Sequence, residues 1–297
     1  MISRRRWRDQ AFPYLLVAPL VSLIGIFLAF PIGASFIISF FRLNLDEPQL
    51  GTPFVGIQNY LRVLTDPDFL PTLGRTAYFA TVSTALTVLV GLGFAIALRR
   101  PFRGSGLVRS LVIVPWAVPA VIAGLLWKTI YDTQYGALNG ILSSLGLIQS
   151  YQAWLNDGFT ALNLVMVTQL WIKVPFAVIL FSAALAALPE EVLDAARVDG
   201  ASAISSFRYV MLPLLRPMIA LVLVLSTAWE LFAFDTIYAI TGGGPGNETS
   251  VLAYYAYEKT FSFLQFGLGS ALGYVITAIV VGLAILYVRT LGRETQL

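Results

Sequence analysis

Histidine and cysteine are both absent from the 297-residue chain. Without them it cannot form a Ser–His or Cys–His nucleophile pair, a thiol redox centre, a Cys/His zinc site or a disulfide. Lysine is scarce: Lys128, Lys173 and Lys259 are the whole set, and none follows a glycine. The G-x-x-x-x-G-K-[ST] phosphate loop is therefore missing, so the chain cannot bind ATP by that route. We expect no catalytic residue, cofactor site or metal site in this chain.

Charge is also scarce, since 12% of the residues are charged and 58% are hydrophobic. A typical soluble domain has about 25% charged and about 45–50% apolar residues. A water-soluble protein of this size could not hide so much apolar surface. The composition predicts an all-α integral membrane protein with several spans.

Six hydrophobic runs are long enough to cross a bilayer, which takes about 20 residues each. They cover residues 12–41, 76–98, 111–130, 161–188, 217–240 and 268–288. No Ser/Gly-rich linker separates soluble domains, so residues 1–297 are expected to form one transmembrane domain. Pro115, Pro119 and Pro175 fall inside spans 3 and 4, where they free backbone carbonyls and are expected to kink the helices.

The basic residues are distributed unevenly between the two sides of the membrane. If the N-terminus is cytoplasmic, thirteen of the nineteen basic residues lie on the cytoplasmic side and four lie outside. The cytoplasmic set is Arg4, Arg5, Arg6, Arg8, Arg99, Arg100, Arg103, Arg109, Arg197, Arg208, Arg216, Arg289 and Arg293. Because cytoplasmic loops carry the excess of Lys and Arg, both termini are expected to be cytoplasmic.

The loop between spans 4 and 5, residues 189–216, has the pattern of two short helices. Glu190 and Glu191 are favourably placed near the positive end of the first helix. Gly200 supplies a stop, and a second helical stretch over residues 203–212 is expected to end before the next proline. From the residues alone, an ordinary amphipathic connector is as good an interpretation as a functional element.

Within this loop the chain reads Asp194-Ala195-Ala196, three residues, Gly200, nine residues, and then Val210-Met211-Leu212-Pro213. This resembles the EAA signature of the permease subunits of ABC importers, E-A-A-x3-G-x9-I-x-L-P, with every spacing kept. In that family the helix pair docks into a cleft of the ATPase subunit and transmits its closure to the spans. The resemblance implies a coupling role for Glu190, Glu191, Asp194, Ala195, Ala196, Asp199 and Gly200.

Three further segments are residues 54–60 (FVGIQNY), 113–119 (IVPWAVP) and 234–245 (FDTIYAITGGGP). They resemble the carbohydrate permeases of this family, particularly the subunit type of the larger maltose-transporter permease. On the residues alone, the glycines at 242–244 form a flexible turn. The resemblance implies that this turn faces an extracytoplasmic binding protein.

The resemblance implies the type I ABC importer permease fold, with six spans and the coupling helix pair between spans 4 and 5. It implies a transport subunit, not an enzyme, in the cytoplasmic membrane of a bacterium or archaeon. Its expected partners are a second homologous permease subunit, two ATPase subunits that bind ATP and Mg, a solute-binding protein and the lipid bilayer, with no nucleic acid. The expected cargo, moved by alternating access, is a di- or oligosaccharide such as maltose or trehalose, or a related polyol or sugar derivative.

Three charged residues lie within the predicted spans: Lys173 in span 4, and Glu230 and Asp235 in span 5. A charge at the centre of a span costs about 2.5–3.5 kcal/mol on insertion scales, so each needs a partner or a wet cavity. One interpretation is a structural ion pair, Lys173–Glu230 or Lys173–Asp235. The other is that these side chains line the substrate path.

Sugar sites combine aromatic faces with amides and carboxylates that bind hydroxyls. Spans 4 and 5 offer such groups where the resemblance to the maltose permease places substrate contacts. The candidates are Gln169, Trp171, Lys173, Phe176, Ser226, Trp229 and Glu230. The agreement in residue type is partial, since Lys173 stands in place of a glycine and Glu230 in place of an amide. The alternative role of Trp171 and Trp229 is simple packing.

Two other classes of protein compete with this interpretation. The main alternative is an ion- or proton-coupled secondary transporter in which Lys173, Glu230 and Asp235 carry the coupling charge. Such transporters often contain inverted repeats, and no convincing repeat is visible in the sequence. A membrane-embedded enzyme is weaker still, because the intramembrane acids form no recognisable pair and the sequence offers no metal-ligand cluster.

Overall fold

The computed structural model describes residues 14–100 and 102–291. Within these residues the chain is all-α, with isolated bridges and no β-strand, as predicted. Residues 1–13 and 292–297 lie outside the described part, and with them the start of the predicted first span. Five members of the predicted cytoplasmic set also lie there: Arg4, Arg5, Arg6, Arg8 and Arg293.

The helices are numbered in chain order. They are α1 (Tyr14–Ile38), α2 (Gln58–Thr65), α3 (Phe69–Ala97), α4 (Ser105–Ile113), α5 (Ala120–Ile130), α6 (Ala137–Ser144), α7 (Gly158–Ala186), α8 (Glu190–Val198), α9 (Ala203–Leu231), α10 (Asp235–Ile240), α11 (Leu252–Tyr257) and α12 (Phe266–Leu291). Five of them, α1, α3, α7, α9 and α12, are long and apolar enough to cross a membrane. The pair formed by α4 and α5 counts as a sixth, broken span.

The third span is broken rather than merely kinked. The sequence predicts one run over 111–130, whereas α4 continues into a short 3-10 turn, Val114–Ala117, and α5 then starts at a bend of 106°. Val118 has an extended backbone (φ −83°, ψ 126°) because it precedes Pro119, whose ring disfavours the helical conformation of the residue before it. By contrast, α7 remains one helix through Pro175.

The second half of the predicted 189–216 loop is not a separate helix. The sequence predicts a helix over 203–212 that ends before Pro213, but α9 runs from Ala203 to Leu231 without a stop. A π-helical segment, Phe207–Met211, precedes the proline, and Leu212 N–H donates to the carbonyl of Phe207 five residues earlier. This wider turn accommodates a residue that cannot donate the usual hydrogen bond.

The fifth predicted span, 217–240, is interrupted near its far end. Helix α9 stops at Leu231, and α10 starts at Asp235. Phe232, the cap residue that follows α9, has a non-helical backbone (φ −104°, ψ 17°). The interruption, Phe232–Phe234, leaves backbone groups without regular helical partners, and within a predicted span such groups must be satisfied by protein or by a water-filled cavity.

The described residues divide into two compact units, residues 14–66 with 256–275 and residues 67–100 and 102–255 with 276–291. In the smaller unit the amide of Asn59 donates to the carbonyls of Ser39 and Phe41, at 2.8 and 2.9 Å, just beyond the end of α1. The same unit holds an ion pair of 3.1 Å between Lys259 and Asp66. The expectation of one domain over the whole chain stays a prediction.

In the larger unit, α3, α7 and α9 pack around a buried apolar core that includes Phe181, Leu215 and Val222. Small residues bring the helices close: a Cβ on Gly91 of α3 would lie 2.6 Å from the Cβ of Ala177 in α7. In the same way, α10 lies against Gly124 of α5. These contacts hold the two broken spans beside the middle of α7.

Candidate functional site

A cavity of about 290 Å³ lies where the two broken spans meet. The start of α5, the end of α9 and the start of α10 surround it, together with the middle of α7. It is lined by Ala120, Gln169, Lys173, Ala228, Trp229, Phe232, Ala233, Phe234 and Asp235. Aromatic, amide, ammonium and carboxylate groups therefore converge on one space within the membrane-spanning part of the larger unit.

The ammonium group of Lys173 lies over the ring of Trp229, with Nζ 4.8 Å from the ring centroid. Among residues 14–100 and 102–291, no carboxylate oxygen lies within 4.0 Å of this nitrogen. The ion-pair interpretation, Lys173–Glu230 or Lys173–Asp235, is therefore not what the structure shows. The charge is held against an aromatic face at the edge of the cavity.

Glu230 lies behind the cavity wall, with 1% of its surface exposed. Its Oε1 accepts a long hydrogen bond of 3.5 Å from the amide of Gln169, whose own Oε1 accepts from the hydroxyl of Thr236 at 3.2 Å. The Oε2 atom of Glu230 has no hydrogen-bond partner within the described residues. This cluster ties the end of α9 and the start of α10 to α7, and it presents only Gln169 to the cavity.

A row of aromatic rings continues from the cavity toward the bend in the third span. The ring of Phe176 lies 4.8 Å from that of Trp229 and 6.1 Å from that of Trp116, centroid to centroid. Trp116 belongs to the 3-10 turn before the bend. The predicted candidate Phe176 therefore contacts Trp229 without lining the cavity itself.

Two predicted candidates lie elsewhere. Trp171 lines a separate apolar groove of about 340 Å³ together with Phe94, Pro115 and Pro175. Ser226 is buried in α9, with 2% of its surface exposed, and is absent from the cavity wall. The physical reason is the rotation of each helix about its axis. Trp171 lies two residues from both Gln169 and Lys173, which turns it about 200° away from them. Ser226 lies four residues before Glu230 and shares the buried face of that residue.

Sequence reasoning missed Ala120, Phe232 and Phe234, which all line the cavity. Pro119 was a usable signal for Ala120, because the residue after a helix-breaking proline begins a new helix. Phe232 and Phe234 gave no signal, since they are apolar residues in an apolar run.

The predicted coupling loop contains α8, a sharp turn and the start of α9. Gly200 adopts a left-handed backbone conformation (φ +80°) and follows Asp199, the residue that ends α8. Its N–H donates to the carbonyl of Arg197, and the N–H of Ala201 donates to that of Ala196. This pair of bonds is the Schellman arrangement, which ends a helix where glycine supplies the left-handed residue.

The side chains of α8 are mostly exposed. Glu190 and Glu191 occupy the first turn, and Ala195 is exposed as well, whereas Leu193 is buried. Asp194 is already paired with Arg197 at 2.7 Å. The helix therefore packs on the core through one residue and leaves its acidic and small residues open to a partner.

The glycine turn after α10 is fixed by hydrogen bonds rather than flexible. The hydroxyl of Tyr254 donates to the carbonyl of Gly242 at 2.8 Å, and that of Thr249 donates to the carbonyl of Gly244 at 2.7 Å. Gly242 and Gly243 have left-handed backbones (φ +55° and +79°), and a Cβ on Gly243 would clash with the Tyr254 ring. Glycine is required there for conformation and for space.

Interrupted membrane helices are tolerated where the freed backbone groups line a cavity or are buried in protein. Here two interrupted spans meet at a cavity with polar and aromatic walls, beside continuous spans that pack tightly. These features define a multi-span membrane transport protein.

Residues 88–291 match the family described as "Binding-protein-dependent transport system inner membrane component", and the chain belongs to that family. It is 35% identical over 293 residues to the trehalose/maltose transport system permease protein MalF of Thermococcus litoralis, covering 99% of this chain and 97% of the relative. It is 33% identical over 292 residues to the sulfoquinovosyl glycerol transport system permease protein SmoG of Agrobacterium fabrum, covering 97% and 94%. The chain is a permease subunit of a carbohydrate ABC importer.

Solved structures agree on the fold. The chain superimposes on a subunit of a bacterial ABC transporter that imports the acidic polysaccharide alginate, with a TM-score of 0.84 and 20% identity, over 97% of this chain and 99% of the other. It superimposes equally well, with a TM-score of 0.84 and 19% identity, on a chain of the alginate transporter in complex with a periplasmic protein bound to alginate pentasaccharide, over 98% and 97%. The predicted type I importer fold is confirmed.

Proposed function

We propose that this permease carries a di- or oligosaccharide, such as trehalose or maltose, or a related polyol or sugar derivative, through the cavity at the two broken spans. The supporting observation is the composition of its wall. Trp229 exposes 37% of its surface beside Gln169, Lys173 and Asp235. Aromatic faces stack on the apolar side of a sugar ring, while amides and carboxylates exchange hydrogen bonds with its hydroxyls. Two relatives named for trehalose/maltose and sulfoquinovosyl glycerol transport point to the same class.

In this proposal the chain works with a second homologous permease subunit, two ATPase subunits and an extracytoplasmic solute-binding protein. ATP and Mg are bound by the ATPase subunits, and their closure moves the permease between inward-open and outward-open states. The end that carries α8 and Arg99–Arg109 faces the cytoplasm. The fixed turn at 242–245 faces the binding protein.

The proposed docking element for the ATPase is α8 with the turn at Gly200. Exposed apolar side chains flank this turn: Val198 on α8 and Ile204 on α9 expose 86% and 78% of their surface. Together with the open carboxylates of Glu190 and Glu191, they form a surface suited to a protein cleft with apolar contacts and cationic donors. Small Ala195 and Ala196 allow the close approach of another helix.

The test is uptake of labelled trehalose and maltose by proteoliposomes that contain the assembled transporter and its binding protein. Uptake is expected only with ATP inside and the ATPase subunits present. Trp229→Ala should lower uptake at sub-saturating sugar about two- to tenfold, because it removes the aromatic platform. Trp171→Ala is the matched control, since it removes the same side chain from α7 outside the cavity, and it should leave the sugar dependence of uptake unchanged.

Two results would contradict the proposal. Uptake by the permease without ATPase subunits, driven by an ion gradient, would make the chain a secondary transporter. A loss of apparent sugar affinity in Trp171→Ala, with Trp229→Ala unaffected, would place the sugar contacts in the apolar groove instead of the cavity.

A further inference from the structure

A second, larger cavity of about 530 Å³ lies at the arginine-bearing end of the larger unit. It is bounded by the end of α3, by α4, by the last turns of α7 and by the first residue of α8. The residues on which its chemistry depends are Leu98, Arg99, Arg109, Ile113, Ile179 and Glu190. No residue of the carbohydrate cavity contributes to its wall.

The arginines at this end form no ion pair within the described residues, although the carboxylate of Glu190 lies in the same cavity wall. Arg99, Arg100, Arg103 and Arg109 lie within eleven residues of sequence, and in the described part of the chain none has a carboxylate oxygen within 4.0 Å. One Nη of Arg109 donates to the carbonyl of Leu98 at 2.7 Å, which fixes the guanidinium at the cavity. Arg99 has only the sulfur of Met211, at 3.9 Å. Most guanidinium N–H groups therefore remain available to an anion.

Apart from Ser182 and Glu190, the rest of the wall is apolar and extends along the membrane-spanning helix α7. It follows α7 from Val178 to Ala186, a length of about 12 Å at the helical rise. Ile113 and Ile179 are part of this wall and remain 38% and 36% exposed. A ligand that fills the cavity thus needs an anionic end at the arginines and an apolar portion that continues toward the hydrocarbon of the bilayer.

We propose that this cavity binds an anionic phospholipid, with its phosphate against Arg99 and Arg109 and the first part of its acyl chains along Ile113 and Ile179. Guanidinium groups bind phosphate oxygens through paired hydrogen bonds, and basic pockets between spans hold anionic headgroups. The carboxylate of Glu190, at the edge of the cavity, disfavours a second negative charge and accepts hydrogen bonds from hydroxyls. Phosphatidylglycerol, with one phosphate and two hydroxyls, matches both features. The assignment stands independently of the proposed transport function.

The experiment is native mass spectrometry of the purified, delipidated transporter titrated with phosphatidylglycerol or with phosphatidylcholine of the same chain length. The unmodified transporter should bind the first molecule of phosphatidylglycerol about tenfold more tightly than the first molecule of phosphatidylcholine. The variant Arg99→Gln/Arg109→Gln should lose this preference. The control Arg103→Gln/Arg289→Gln removes two other arginines that do not line the cavity and should keep it.

Two further variants keep the test independent of folding. Arg99→Lys/Arg109→Lys retains the charge and should retain most of the preference. Ile179→Trp leaves the charge unchanged but fills the apolar part of the cavity, and it should weaken phosphatidylglycerol binding if the acyl chain lies there. If Arg99→Gln/Arg109→Gln fails to assemble, the Ile179→Trp titration decides alone.

Three outcomes would overturn the proposal. Equal loss of preference in the control variant would indicate a general charge effect rather than a site. Retention of the preference in Arg99→Gln/Arg109→Gln would exclude these arginines. If millimolar inorganic phosphate displaces phosphatidylglycerol and the variant Ile179→Trp binds phosphatidylglycerol as tightly as the unmodified transporter, the cavity binds a small anion and not a lipid.

Discussion

Lys173 shows how a membrane-spanning helix keeps a charge without an ion pair. A cation over an indole ring gains about 0.5–2 kcal/mol, which is less than the cost of about 2.5–3.5 kcal/mol for a lysine at the centre of a span. The contact with Trp229 is therefore insufficient by itself. Because Lys173 also lines the cavity, the remainder comes from the acidic groups nearby, which include Asp235 in the same wall, and from the water or polar solute that fills the cavity. The lysine is thus kept accessible to whatever enters the cavity.

The buried carboxylate of Glu230 is expected to contribute to the stability of the fold and not to contact the substrate directly. Glu230→Ala would leave the amide of Gln169 without its acceptor and would open a void behind the cavity. We expect it to lower the stability of the purified permease by about 1–3 kcal/mol. Glu230→Gln keeps the size and one acceptor oxygen, so its loss should be smaller. The measurement is the thermal unfolding midpoint of both variants in detergent.

An unfolding midpoint for Glu230→Ala equal to that of the unmodified chain would show that the 3.5 Å contact with Gln169 contributes nothing. Ser226→Ala is a suitable control, since it alters a buried polar residue one turn earlier on the same face, which takes no part in the hydrogen bonds between Glu230, Gln169 and Thr236.

The sequence identified some residues of the cavity and could not have identified others. Lys173, Glu230 and Asp235 stand out because charges in apolar runs are rare. Trp171 and Trp229 were indistinguishable as residue types, yet only Trp229 lines the cavity. The difference depends on how each helix is rotated about its axis, which is set by packing between helices and leaves no mark on a single residue.

At the scale of elements, the joint between α8 and α9 depends on one backbone conformation. Gly200 has φ +80° and open space around the position of a Cβ, so a substitution there acts through backbone strain and not through a clash. A β-branched residue in this conformation costs roughly 1–2 kcal/mol, whereas asparagine tolerates it. Gly200→Val should therefore lower uptake per ATP hydrolysed about tenfold. Gly200→Asn should stay close to the unmodified transporter.

The measurement is labelled sugar taken up per phosphate released by the reconstituted transporter. Both variants add a side chain at the same exposed position, so only the valine variant tests the conformation. Normal coupling in Gly200→Val, with membrane insertion intact, would remove the turn from the proposed mechanism.

The two broken spans differ in how far they were predictable. Two prolines at 115 and 119 predicted a disturbance of span 3, although not a bend of 106°. No proline or glycine marks Phe232–Phe234, so the interruption between α9 and α10 was invisible. Conversely, Pro213 predicted a helix end that does not occur. The helix continues because the π-helical segment before the proline accommodates its missing N–H. The sequence shows where prolines disturb a helix, but packing against neighbouring helices determines whether the helix breaks there.

At the scale of the whole molecule, hydropathy gave the number of spans and the family resemblance gave the fold. The orientation across the membrane remains a prediction. It can be tested by labelling single introduced cysteines, because the chain itself contains no cysteine. Val198→Cys on α8 and Tyr135→Cys before α6 replace side chains that are 86% and 72% exposed. In intact cells a membrane-impermeant maleimide should label only Tyr135→Cys. In inverted vesicles that lack the ATPase subunits it should label only Val198→Cys.

Labelling of Val198→Cys from outside intact cells would place α8 on the wrong side for contact with a cytoplasmic ATPase. The unmodified, cysteine-free chain is the control for background in both preparations, and detergent-permeabilised membranes should label both variants.

The bend between α4 and α5 has a consequence for how the protein is made. Its two limbs, Ser105–Ala117 and Ala120–Ile130, are about 20 and 17 Å long at the helical rise, so neither alone crosses a hydrocarbon layer of about 30 Å. The insertion machinery nevertheless meets one continuous apolar segment over 111–130. The bent form is stabilised by α7, which packs against the 3-10 turn, and by α10, which packs against α5. Both helices are synthesised later, so this span must complete its folding only after more than a hundred further residues have entered the membrane or its surroundings.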